Sequence, residues 1–554
     1  MKRFIHFLAK RPLILAAILA IWTGGFYFFY LEGIPYEQEP AVSTGWIKAV
    51  HLSWPQILKQ TFSPVSYSLT ANDVDLTRVR VTEHLALKLI YQLFGPSSTA
   101  VLVYNVGLAV LFSLLVFFLF YKLTENGFVS FLGSVFLLAT PAYGWAIMEY
   151  GDFAPLDQIL LMLYFWFYVW AFHRWRIGYF DQSNRPLQAV FTFVSIWLLG
   201  MATMRGKETN LFLVTGISWL LFFFNPQYHV FHSDSKLKIR HFLPLGITLV
   251  LLTLPIIFVN HPASVKAAVG RNFFLNPIYM FLYNPGPSYA GEKFCPLLSL
   301  ESKFPSTILG NFGFGLSWII LLGGIVFGIW RLRFHPKRSE ASARASMVLV
   351  LSGWAIIASA FYVVYPAFYY TRYLAWLLLP FTLLVAYGFT QAIRLLHGKI
   401  KIGAILLVTS LVFLQIGENL SHSFYMRKGL ERIWTPKWIF RTQIYQDRTG
   451  DLSPDFFEVH SYWYPRTDFT KAIEPFLVHH VEEVNRVAQD PKVGEVLEKF
   501  KIAYVTSNQL LNLPWKNTLI RQVDASNLST LTRLIGKFSK KKPPTYYLYR
   551  IEPA

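Results

Sequence analysis

Long apolar stretches alternate with short polar ones from residue 13 to residue 417, with nearly all charge in the gaps. Each stretch suits a helix rising about 1.5 Å per residue across a hydrocarbon layer about 30 Å thick. The pattern predicts about eleven membrane spans, near 13–31, 98–121, 128–148, 157–173, 187–204, 209–224, 242–260, 312–331, 346–366, 373–393 and 401–417. The fold class expected is an all-α polytopic membrane bundle. An odd number of spans puts the two termini on opposite sides.

The charges between the spans orient the bundle. Lys2, Arg3, Lys10 and Arg11 precede the first span, and basic residues near span ends are retained in the cytoplasm, so the N-terminus is expected inside. Alternation then assigns to the cytoplasm Lys122, the run 173–176, the stretch 236–240, Arg331 to Arg344, and Arg394 to Lys401, and every one of these loops is basic. The net charge of +20 is thus a topogenic signal and an attraction to anionic headgroups, with no call for a nucleic-acid partner. The first apolar run is long and lacks a small-x-small cleavage site, which suits a retained signal anchor. Cys295 is the only cysteine, so no intramolecular disulfide forms; a bacterial inner membrane suits such a chain.

Three regions depart from simple spans. The outer loop 31–97 is large, and within it 46–50 and Val81 to Phe94 have helical apolar spacing, as expected of interfacial helices capping the bundle. The second of these ends at Leu93-Phe94-Gly95-Pro96, where glycine accepts a left-handed cap and proline cannot continue the helix. The outer loop 260–311 contains an apolar run, Phe273 to Tyr283, too short to span. From Glu418 hydropathy falls: residues 488–500 read as a helix, 502–506 as a buried strand and 546–551 as a closing strand. The expected division is a transmembrane domain over 1–417 and a small extracytoplasmic α/β domain over 418–554.

Several ionisable groups sit on the outer side. Glu37 and Glu39 follow the first span closely; a carboxylate there can serve as general base, or the pair can hold a hard divalent cation, Mg or Mn, and the plainer alternative is a solvated acidic turn. Arg80, Glu83, His84 and Leu87 share one helical face by their spacing, which suits either a salt-bridge network or contact of Arg80 and His84 with phosphate or sugar. Asp152 and Asp157 lie in the next outer turn. Asp157, two places after Pro155, suits a helix N-terminus, whereas Asp152 has no such role and is a third candidate carboxylate.

Arg205, Lys207 and Glu208 crowd a tight outer reversal, and Arg372-Tyr373 opens a later span on the same side. An intramembrane cation costs about 2.5–3.5 kcal/mol on insertion scales, so such residues have partners or a function. The alternatives are a Lys207–Glu208 pair with Arg205 snorkelling, or a site for a lipid-borne phosphate. No Walker loop, dinucleotide glycine signature, CxxC, HExxH or GxSxG motif is present, which argues against a nucleotide-driven pump or a zinc hydrolase.

In its first 225 or so residues the chain resembles the GT-C membrane glycosyltransferases, which include protein O-mannosyltransferases and the aminoarabinose transferase of lipid A. The resemblance is carried in order by Glu37 and Glu39 after span one, a tryptophan-containing loop helix, an Arg-initiated helix ending in Leu93-Phe94-Gly95, Tyr104-Asn105, Ala139-Thr140-Pro141 before the second acidic turn, and Lys207-Glu208 opening span six. It continues in Arg372-Tyr373 and in the outer tail. It implies transfer of a sugar from a polyprenyl-phosphate donor to a protein, lipid or glycan acceptor at the outer face, usually with inversion. Glu37 or Glu39 would be the base, Asp152 would support it or share a metal, and Arg205, Lys207 and Arg372 would hold the donor phosphate. The family's acidic doublet is commonly adjacent, whereas Gln38 separates the glutamates here, so the two remain alternative bases. A catalytically silent scaffold and a lipid or glycan transporter are the competing readings.

Overall fold

The computed structural model describes residues 11–32, 53–55, 81–95, 98–140, 143–144, 147, 155–176, 186–204, 210, 213–219, 243–257, 347–348, 350–355, 357, 375–450, 477–481, 491–508, 510, 515–525, 528–536 and 544–553. Its helices are α1 (Pro12–Leu31), α2 (Val81–Phe94), α3 (Ser98–Thr124), α4 (Gly127–Leu138), α5 (Pro155–Arg176), α6 (Pro186–Met204), α7 (Leu243–Ile257), α8 (Ala375–Leu395) and α9 (Gly398–Thr449). Among the described residues, five stretches are long and apolar enough to cross a membrane: Pro12–Leu31, Thr99–Thr124, Leu187–Met204, Leu378–Leu395 and Gly398–Ser421. Leu13, Ile21, Leu187, Phe191, Leu406 and Leu414 stand exposed on them, a surface suited to lipid. The chain is built as a multi-pass membrane protein.

One apolar core runs through α1, α3 to α8 and the helical residues 213–219 and 350–355. In lipid the hydrophobic effect gives little reason for apolar helices to associate, so close packing and interhelical hydrogen bonds must hold them. A Cβ on Gly200 of α6 would lie 2.8 Å from the Leu252 side chain of α7 and 3.0 Å from Tyr164 of α5, so its hydrogen lets three helices meet closely. Tyr164 in turn shares a 2.8 Å hydrogen bond with Ser218.

The bundle has two distinct ends. At one, α3 passes into α4 through Glu125, in the left-handed region at φ 56°, and Asn126, whose side chain caps α4 by accepting from the N–H groups of Phe128 and Val129. Arg394, near the end of α8, donates there to the Thr124 carbonyl (3.3 Å) and to Glu125 (3.1 Å). Lys122 and Arg394, both assigned to one side by their sequence, therefore flank the same contact. At the other end, Tyr27 of α1 donates to the Leu138 carbonyl (2.7 Å) and Ser423 of α9 to the Ala139 carbonyl (2.9 Å). These bonds satisfy terminal carbonyls of α4 that bilayer or protein interior would otherwise strand.

Two expected spans are corrected. The stretch 128–148 is not one helix: α4 stops at Leu138, where the Thr140 hydroxyl turns back on the Leu137 carbonyl (2.7 Å) just before Pro141. The last span, expected at 401–417, belongs to a helix of 52 residues that leaves the membrane without a break, crosses the expected domain boundary at 417–418, contains Pro436 and ends at Gly450 with φ 74°. Sequence hydropathy located its apolar half and hid its continuity. The spans expected near 312–331, the helix at 46–50 and the loop 260–311 lie outside the described residues.

Beyond α9 the chain forms strands β1 (Leu477–Val481), β2 (Ala503–Ser507), β3 (Lys516–Asp524) and β4 (Thr545–Glu552), with α10 (Pro491–Phe500) and α11 (Thr530–Gly536) between them. The sheet order is β1-β2-β4-β3, with β1 parallel to β2 through the α10 crossover and the other pairs antiparallel. Alternation along the strands serves two faces. Ala503, Val505, Tyr549 and Ile551 pack on Val493 and Leu497 of α10, while Tyr504, Val523 and Leu548 pack on Phe440 and Ile444 of α9. The long helix is thus both a membrane element and a layer of the sheet domain.

Candidate functional site

Of the residues the sequence singled out, Glu37, Glu39, Arg80, Asp152, Arg205, Lys207, Glu208, Arg372 and Tyr373 lie outside the described residues; His84 is in α2, its side chain outside them. Their nearest described neighbours have a common location. Glu37 and Glu39 follow α1, Arg80 precedes α2, Asp152 precedes α5, Arg205 to Glu208 follow α6, and Arg372 precedes α8. Each of these termini belongs to the end of the bundle opposite the Arg394–Glu125 contact. Thr82 of α2 donates to the Ala202 carbonyl in the last turn of α6 (2.7 Å), and Thr203 donates to the Leu160 carbonyl in the first turns of α5 (3.4 Å). A Cβ on Gly144, just past α4, would lie 2.8 Å from the Tyr30 hydroxyl at the end of α1, so that close approach requires glycine.

The same end is lined inside by polar groups. Asn105, Thr140, Asp157, Gln158, Thr203 and Asn210 are all buried. Tyr143 donates to Gln158 Oε1 (2.8 Å) while stacking on Phe112, and Asn210 Nδ2 donates to the Thr203 carbonyl (2.9 Å). Asn105 Nδ2, Gln158 Nε2 and Asn210 Oδ1 are buried and find no hydrogen-bond partner among the described residues. Polar atoms in that condition are costly in an apolar bundle unless a ligand, water or further side chain completes them. Asp157, expected only to favour a helix N-terminus, does lie in the first turn of α5 but is fully buried. Among the described residues no three His, Cys, Asp or Glu side chains are grouped to hold a metal.

A second polar cluster went unnoticed in the sequence. Arg427 of α9, 2% exposed, donates through Nε to the Tyr30 carbonyl (2.8 Å) and through Nη2 to the Glu32 carbonyl (2.8 Å) and Ser529 Oγ (2.8 Å). Its Nη1 forms a 2.6 Å ion pair with Glu431, itself buried, which also accepts from the Thr532 hydroxyl. The Glu32 carboxylate accepts from the N–H (3.1 Å) and hydroxyl (2.9 Å) of Thr530 at the start of α11. No motif marks this cluster; the available signal was a polar i, i+4 pair, Arg427 and Glu431, beyond the last apolar span.

On α2, Lys88 is buried with its amine 5.8 Å from the Trp54 ring centroid, and Trp54 Nε1 donates to Gln92 (3.1 Å). Burial lowers the Lys88 pKa, as desolvation does for a cation. Gly95 ends α2 at φ 75°, its N–H donating to the Tyr91 carbonyl, as its sequence predicts.

Solved structures resemble the whole chain at low identity. One is ArnT from Cupriavidus metallidurans bound to undecaprenyl phosphate, at 12% identity and a TM-score of 0.40, with 97% of each chain covered. Another is the Archaeoglobus fulgidus oligosaccharyltransferase tethered with an acceptor peptide containing the NVT sequon, at 13% identity and a TM-score of 0.43, covering 90% of this chain and 69% of that one. No family model matches the sequence, and no curated protein does.

Proposed function

We propose that the chain is a GT-C-type membrane glycosyltransferase of the cell envelope that moves a sugar from a polyprenyl-phosphate donor to an acceptor at the outer face of the inner membrane. The observation that carries this reading is the common location of the termini flanking every candidate acid and cation, at the end where the bundle interior is polar. Buried amides that find no partner among the described residues suit a site that a polar ligand completes.

In the reaction, the acceptor's hydroxyl or amine attacks the sugar's anomeric carbon as the bond from that carbon to the phosphate oxygen breaks. Glu37 or Glu39 removes the acceptor's proton, and the bonding pair leaves with the polyprenyl phosphate. Arg205, Lys207 and Arg372 offset the charge that grows on the leaving phosphate, with Arg80 and His84 from the loop after α1 and Glu208 and Tyr373 completing the donor site. Attack opposite the leaving group inverts the anomeric centre. A hard divalent cation suits the oxygen donors of Glu37, Glu39 and Asp152 and would supply further charge neutralisation. The domain beyond α9 lies outside the membrane and faces the acceptor.

Undecaprenyl phosphate, the ligand present in the ArnT structure, is the probe for the donor site. Native mass spectrometry of the purified full chain is expected to retain one lipid phosphate, and the paired Arg205→Met, Lys207→Met variant to weaken retention about tenfold or more, a loss of about 1.4 kcal/mol. Equal retention by both proteins contradicts the assigned site.

A further inference from the structure

We infer that Arg427 is a positioning residue, which together with Glu32 and Thr530 clamps the sheet domain to the membrane end of α1, the end from which the sequence leads on to Glu37 and Glu39. The bearing of that end on transfer rests on the proposed function; the clamp itself rests on geometry. Arg427 places guanidinium donors on the carbonyls of Tyr30 and Glu32, among the last backbone acceptors of α1 that the helix cannot satisfy. A cation at that position also complements the negative end of the helix dipole.

The same guanidinium reaches Ser529 and Glu431, and Glu431 reaches Thr532, so α1, α9 and the start of α11 share one bonded network. Glu32 closes the loop from the other direction. Its backbone carbonyl is held by Arg427 while its carboxylate takes two donors from Thr530. Residue 32 is therefore fixed at both backbone and side chain immediately before the chain proceeds to the candidate bases. Phe26 packing edge-on against Phe424, at 5.8 Å between centroids, adds an apolar contact one turn deeper.

Hydrogen exchange of the full chain in lipid nanodiscs tests the clamp with Glu32→Gln and Thr530→Val, both mild enough to leave the Arg427–Glu431 pair in place. Amides of residues 29–32, the last turn and cap of α1, are expected to exchange at least about fivefold faster in both variants, with α3 and β4 unchanged. Unchanged exchange at 29–32, or an equal rise throughout the chain, overturns the inference. In a transfer assay with a polyprenyl-phosphate sugar, Thr530→Val is expected to lower kcat about tenfold while leaving the donor KM within about twofold, and Thr530→Ser to restore it. A KM change without a kcat change overturns the positioning role. A wild-type chain that transfers nothing contradicts the proposed function and leaves the exchange result to decide the clamp.

Discussion

Arg427 shows how one side chain can be costly and necessary together. Burying a guanidinium and a carboxylate forfeits hydration, and their attraction is helped to offset this by four further acceptors and donors. Removing one partner is therefore far worse than removing both. Arg427→Met is expected to cost about 3–5 kcal/mol, leaving Glu431 buried and unpaired, while the Arg427→Met, Glu431→Gln pair recovers part of the loss. Thermal unfolding of the detergent-solubilised chain measures both. At the far end of α9, Tyr504 donates to Asp447, which also pairs with Arg550. Burial, then the bond to Asp447, raises the Tyr504 pKa above 10. A raised folded value means that the neutral phenol's contribution is complete below about pH 10, the unfolded value, and fades as pH rises through the folded one. Limited proteolysis of the sheet should accelerate above that pH in wild type, and Tyr504→Phe should remove this pH dependence at the expense of stability at neutral pH.

At the level of elements, the sequence showed most where lipid and turn chemistry act locally. Apolar length located α1, α3, α5, α6, α7 and α8, and Gly95 marked the end of α2. Local rules missed what depends on distant partners. The break after Leu138 is stabilised by Tyr27 and Ser423, and the uninterrupted course of α9 by a sheet that forms from residues after it. The burial of Asp157 likewise depends on neighbouring helices that spacing cannot assign. Caps remain testable one at a time: Asn126→Ala removes the acceptor for two N–H groups at the start of α4, and a loss of about 1 kcal/mol is expected in the same unfolding assay.

For the whole molecule, the bundle separates its charges. The Arg394–Glu125 contact lies at one end, and the Glu32–Thr530 contact, the polar interior and the sheet domain lie at the other. The proposed orientation, argued from the basic loops of the sequence, has the first end face the cytoplasm. In a Cys295→Ser background, Arg533→Cys should react with an impermeant maleimide on intact spheroplasts, and Lys399→Cys only after permeabilisation; labelling of both from one side would contradict the arrangement. The candidate acids and cations could be picked out because charges violating the topology rule stand out against apolar sequence, whereas the clamp arises only when residues 32, 427 and 530 are brought together. The most direct measurement is single-turnover transfer from a polyprenyl-phosphate sugar by the purified full chain and by its Glu37→Gln, Glu39→Gln variant. The account predicts sugar transfer with release of polyprenyl phosphate, slowed about a hundredfold or more in the variant with lipid-phosphate binding retained; transfer at equal rates by both proteins, or none by the wild type, would contradict it.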